Sequence, residues 1–331
     1  MTADPPPGVP IHPASPPPPL IPELVPDPSA RFAEPPRDRV WLHVLLFAFT
    51  ILTTTQAGTG FFLNHISHFG ARPIRASASE IIIGGLWFAL TALSILTAHE
   101  MGHYVACRIY RINASLPYFL PMPAFSYFGT MGAVIRIRDP IRSKRMLFDI
   151  GVAGPIAGFM VAVPALVIGL LWSRVDRLPR NFRGDEFGEP WGFQLLAQAI
   201  FGPVPEGYSL NLHPMAWAAW FGFLITALNL LPLGQLDGGH IAYAVWGRRA
   251  KWLTYGTLAG ALVLGVFVSY SWVFWLLIML LLLYLSGWSH PHTTDEHEPL
   301  DRLRLLIAAL ALLIFILCFT PRPISPAEFV R

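Results

Sequence analysis

IIIGGLWFALTALSILTAHEMGHYVA, residues 81–106, is the stretch that decides the fold. Residues 81–98 carry no charge, and His99, Glu100 and His103 then follow within five positions. A run this long and apolar reads as a membrane-crossing helix, since roughly 17 to 25 such residues span the hydrocarbon layer. Ionisable groups inside such a helix are costly and mark function by default. At i and i+4, His99 and His103 share one helix face about one turn apart, so both imidazoles can reach one tetrahedral zinc ion. Glu100 then lies beside the metal without ligating it. From there a carboxylate can take a proton from metal-bound water and deliver it to a leaving amine.

The rest of the chain supports the membrane reading. Of 331 residues, 54% are hydrophobic and 13% charged, about half the charge content of a soluble domain. Seven windows are expected to span: 40–61, 81–106, 148–172, 213–233, 252–269, 271–287 and 303–320, the fifth and sixth meeting through Ser269, Tyr270 and Ser271. The fold class is therefore an all-α polytopic membrane protein. Arg37 and Arg39, Arg108 and Arg111, Arg136 to Arg145, Arg248 to Lys251, and Arg302 and Arg304 collect on one side of these windows. The positive-inside rule puts that side, the amino terminus and the HEMGH end of the second span in the cytoplasm. The segment 173–212, with mixed charges, is expected outside. A net charge of +3 offers no basic face for nucleic acid, so the bilayer and membrane proteins are the expected partners. Cys107 and Cys318, far apart in apolar surroundings, supply neither a disulfide framework nor a thiolate cluster.

Two histidines leave a zinc site one protein ligand short if one position stays open for water. Asp237 is the best candidate, in the run Asn229-Leu-Leu-Pro-Leu-Gly-Gln-Leu-Asp-Gly-Gly239 at the cytoplasmic end of the fourth span. Pro232 and Gly234 break the helix there, and Gly238 and Gly239 permit close backbone approach. The competing reading of Asp237 is a solvated helix cap; His240 is an alternative ligand, favoured as a supporting group behind the ligands.

A helical His-Glu-x-x-His with a later Asn-x-x-Pro-x-x-x-Leu-Asp-Gly-Gly resembles the site-2 protease family of intramembrane zinc metalloproteases. Gly129-Thr-Met-Gly-Ala133 and Phe148-Asp-Ile-Gly-Val-Ala-Gly-Pro-Ile-Ala-Gly158 extend the likeness, notably to its bacterial and plastid branches, over residues 80–245. The resemblance implies one zinc ion held by His99, His103 and Asp237, Glu100 as catalytic base, and Asn229 near the substrate carbonyl or oxyanion. It also implies cleavage in or near the membrane-spanning segments of transmembrane protein substrates. Some relatives carry a PDZ domain between core spans; the segment 173–212 is too short for one. A metal transporter with a His/Asp transit site is the alternative, and Glu100 argues against it, since transit needs no adjacent base. A catalytically inactive scaffold is the other alternative.

Residues 113–138, with Pro117, Pro121 and Pro123 before the alternating Ala133-Val-Ile-Arg-Ile-Arg138, suit a membrane-associated or re-entrant β-hairpin whose edge could hold unwound substrate by strand addition. Gly151, Gly154 and Gly158 suggest close helix packing on the third span. Three domains of organisation result: a proline-rich cytoplasmic extension (1–37), expected to be disordered, a transmembrane protease domain (38–320) and a short tail (321–331). His290, His292 and His297 read as a solvated juxtamembrane loop. Two lysines, Lys144 and Lys251, against 23 basic residues in all suggest a high-GC bacterium and hence a cytoplasmic membrane. Substrate identity and oligomeric state are not legible.

Overall fold

Helix α1 (Val40–Ile66) buries His43, Thr50, Thr54, Gly58 and His65, and turns Val40, Trp41, Val44, Phe49 and Leu52 outward. A helix in water does the reverse. Small and polar residues inside with large apolar ones outside is the pattern of a helix surrounded by lipid, where packing and hydrogen bonds, not hydrophobicity, hold helices together. The computed structural model describes residues 38–122, 126–179, 185–286, 293–295 and 298–326. The proline-rich extension and His290, His292 and His297 lie outside these.

Helix α2 (Ala78–Ile109) begins at a capping box, in which the Ser77 N–H donates to Glu80 (2.7 Å) and the Glu80 N–H to Ser77 Oγ (3.3 Å). It packs against α1, α3 (Lys144–Leu171) and α5 (Pro214–Asn229) and so occupies the centre of the bundle. At the α1–α2 crossing a Cβ on Gly58 would lie 2.4 Å from the Gly85 carbonyl oxygen, so only glycine lets the two backbones touch. Phe88, Ala92, Phe148, Ala162, Leu166, Trp220 and Phe223 fill the core between α2, α3 and α5.

Among the described residues, four stretches are long and apolar enough to cross a membrane: Val40–Ile66, Ala78–Ile109, Lys144–Leu171 and Asp237–Phe267. The last comprises α6 (Asp237–Trp246), a 3-10 turn and α7 (Ala250–Phe267). The expectation of seven spans is therefore not confirmed. Helix α5 has 16 residues and stops at Asn229, and α8 (Ser271–Ser286) and α9 (Arg302–Cys318) have 16 and 17. Each falls short of the roughly 20 residues that cross perpendicular to the bilayer.

The expected hairpin is present. Strands β1 (Tyr118–Pro121) and β2 (Thr130–Val134) pair antiparallel, with a register shift between Phe119 and Pro121. The ladder continues past β2 through Ser115 N–H to Arg136 O (3.0 Å) and Arg138 N–H to Asn113 O (2.9 Å), so pairing runs from Thr130 to Arg138 and includes the alternating stretch 133–138. Segment 173–212 is more than a loop: it holds β3 (Arg174–Arg177), β4 (Asp185–Phe187), the helix α4 (Trp191–Phe201) and β5 (Tyr208–Asn211). Strand β3 pairs with β5, and β4 pairs with β6 (Ile324–Pro326) near the carboxyl terminus. Mixed charges hide these short strands from pattern reading: Asp176 is consumed locally by His68 (2.8 Å), Arg174 (3.1 Å) and Asn211 (2.7 Å).

The stretch after α8 also contributes to the start of α3. Asp295 accepts from Ser143 Oγ and the Lys144 backbone N–H, both at 2.7 Å, and so caps the start of α3 from a distant part of the chain.

Candidate metal centre

The HEMGH run lies in the last three turns of α2, with His99 3%, Glu100 6% and His103 7% exposed. Space for these side chains comes from α3. A Cβ on Gly154 would lie 2.1 Å from His103 Nε2, and one on Gly158 3.2 Å from His99 Cβ. The glycines read as packing residues thus shape the cavity in which the imidazoles sit. Gly151 does the same for His240, whose Cβ would be 2.9 Å from an added methyl.

Asp237 arrives through a reversal of the chain. Helix α5 ends at Asn229, and Gly234 adopts φ +47°, in the left-handed region that favours glycine. Gly238 then lies against the Leu230 carbonyl oxygen, only 2.0 Å from where a Cβ would stand. The expected break at Pro232 and Gly234 and the close approach at Gly238 and Gly239 are thus both present. Asp237 lies in the first turn of α6 but caps nothing, Leu236 being the cap residue. Its side chain is 14% exposed and pairs with both histidines, which rules out a solvated cap.

His99 Nε2 and His103 Nε2 are 3.2 Å apart, and the Asp237 carboxylate lies 3.2 Å from the first through Oδ2 and 3.3 Å from the second through Oδ1. Among the described residues, these three are the His, Cys, Asp or Glu side chains grouped so that they could hold a metal ion. The donor set fits one. Tetrahedral bonds of roughly 2.0–2.1 Å put neighbouring donors roughly 3.3–3.4 Å apart, close to the edges observed. The protonation pattern fits as well. His103 Nδ1 lies 2.7 Å from the Ile150 carbonyl oxygen, which can only accept, so Nδ1 carries the proton and Nε2 presents its lone pair to the centre.

Asn229 reaches the same place, its Nδ2 3.2 Å from His99 Nε2. Glu100 lies within electrostatic reach of the Ile135 backbone amide, just past β2, and of His103 and Asp237. His240 is not among the converging donors. Sequence reading brought five residues to this site, and the structure places all five there. It missed the backbone groups of Ile150 and Ile135, which no side-chain pattern encodes.

Helices that turn apolar side chains outward around a buried donor set of two histidines and a carboxylate define an integral membrane protein with a metal-type centre. Residues 87–270 match the model of peptidase family M50, and the chain belongs to that family, the site-2 proteases that its motifs resemble. It is similar to a probable zinc metalloprotease EGY2, chloroplastic, of Oryza sativa subsp. indica, 30% identical over 75% of this chain and 45% of the relative. The corresponding Arabidopsis thaliana protein is 31% identical over 71% of this chain and 42% of its own length. A probable zinc metalloprotease EGY1, chloroplastic, of Arabidopsis thaliana is 26% identical over 74% and 48%. The chain thus spans under half the length of these relatives. Their names place those plant proteins in chloroplasts. No solved structure matches.

Proposed function

We propose that this chain is a zinc-dependent intramembrane protease that hydrolyses peptide bonds in or near the membrane-spanning segments of other membrane proteins. The observation that carries this reading is the convergence of His99, His103 and Asp237 from two helices beside a buried Glu100. Zinc held by His99, His103 and Asp237 would supply a Lewis acid that lowers the pKa of water to roughly 7. The remaining steps belong to the chain. Glu100 takes the proton of the attacking water and returns it to the departing amine nitrogen. The Asn229 amide donates to the substrate carbonyl oxygen as negative charge develops on it. Ile150 holds the His103 ring through Nδ1, so that its orientation does not drift between cycles.

The β-hairpin suits the handling of substrate. Arg136 and Arg138 bond towards β1's side of the ladder, so the N–H of Ile135, the residue before Arg136, faces the opposite side, where Glu100 lies. That side of the hairpin faces α2 and Glu100. An unwound substrate segment added to it would pass its backbone along Glu100.

The test is cleavage of a labelled membrane-spanning substrate by the reconstituted chain. Glu100→Gln should keep its zinc and lose turnover by at least about 100-fold. Equal cleavage by wild type and variant would remove Glu100 from the mechanism.

A further inference from the structure

At the end of α2, two turns beyond His103, the Tyr110 hydroxyl donates a short hydrogen bond to Asp149 Oδ2. Arg304, in the first turn of α9, grips the same carboxylate with both arms of its fork, Nε to Oδ1 at 2.9 Å and Nη2 to Oδ2 at 2.5 Å, and reaches the Tyr110 oxygen at 3.4 Å. Asp301 fixes Arg304 in turn, capping α9 through the Arg304 N–H (3.0 Å) and pairing with Nη1. Three helices meet at one guanidinium. A planar fork on a carboxylate sets direction as well as distance, which a single point charge cannot.

Asp149 precedes Ile150, whose carbonyl oxygen receives the His103 Nδ1 proton. A shift of α3 along α2 at Asp149 therefore moves the group that aims His103 Nε2 at the metal. The same shift moves Gly154, one turn on, which leaves room for that ring. We infer that Arg304 is a positioning residue for the metal centre: by clamping Asp149 to Tyr110 it locks α3 against α2 in the one register that presents the Ile150 carbonyl to His103. Arg304 lies outside the family-matched residues 87–270, so the grip comes from a part of the chain that the family pattern does not cover. The inference rests on the metal-site reading above.

Zinc affinity of the full chain in detergent, measured by competition with a chromophoric chelator, tests it alongside thermal unfolding of each variant. Arg304→Gln should weaken zinc binding about tenfold, at the lower end of what supporting partners of ligands contribute. Asp149→Asn should do the same, and the double variant should be no worse than either single one, because both break one linkage. Arg304→Lys, which keeps the charge and loses the fork, should fall between. Arg145→Gln removes the exposed Arg145–Glu298 pair (3.6 Å) and should leave zinc affinity unchanged. Wild-type affinity in Arg304→Gln overturns the inference, as does a loss of stability in which the folded fraction still binds zinc normally. If Arg304→Gln does not fold, Arg304→Lys decides, and wild-type affinity there overturns it. Wild-type protein that binds no zinc overturns the metal-site reading and this inference with it, whereas normal wild-type binding with unaltered variants overturns this inference alone.

Discussion

At Gly154 one added carbon would stand 2.1 Å from the nitrogen that His103 offers to the metal. Gly154→Ala should therefore abolish zinc retention and cost about 1–3 kcal/mol of stability by overpacking. Gly158→Ala, whose Cβ would meet His99 Cβ at 3.2 Å, should lose far less of both. Zinc content and thermal unfolding of the two variants check the order, and equal effects would contradict it. The contrast also marks the limit of sequence reading at this scale. His99, Glu100 and His103 are legible because their geometry is set within one and a half turns of a single helix. Asp237 and Asn229 are legible because chain-breaking residues surround them and their run resembles a known pattern. Gly154 differs: its meaning depends on where α3 crosses α2, a tertiary fact that spacing along α3 does not contain.

Among the elements, α3 does most to shape the site, and its first turn is held by Asp295 from beyond α8. Burial pushes the Asp295 carboxyl up, but hydrogen bonds from the Lys144 N–H and Ser143 hydroxyl outweigh it and hold the group below the ordinary carboxylate range. Its folded value is thus lower than its unfolded value of about 3.9, so its stabilisation is present above that pH and is lost as pH falls through the folded value. The stability difference between wild type and Asp295→Asn should accordingly be largest near neutrality and shrink below about pH 4. Unfolding measured from pH 7 down to about pH 3 checks this, and a constant difference would contradict it. The cap was not legible because Ser143 and Asp295 lie 152 positions apart. The β1–β2 hairpin was legible from its prolines and its alternation, whereas β3, β4 and β5 are too short and too charged to stand out from a loop.

For the whole molecule, the decisive feature is the inversion of burial: threonine and histidine inside α1, with Trp41 (62% exposed) and Leu52 (65% exposed) facing out. Composition announced the membrane setting but not which residues of α1 face inward. Span number was less legible, because hydropathy measures how apolar a window is and not where the backbone turns. Asn229 ends α5 and Asp237 opens α6, so one expected span becomes a short helix and a reversal that carries the carboxylate back to the histidines. That reversal makes the centre a property of the assembled bundle, since neither α2 nor α6 alone holds more than part of the donor set. Anomalous diffraction at the zinc edge from crystals of the zinc-loaded full chain measures this most directly. The expected result is a single peak between His99 Nε2, His103 Nε2 and the Asp237 carboxylate, absent from Asp237→Ala; a peak at other residues, or an Asp237 turned away from it, would contradict the account.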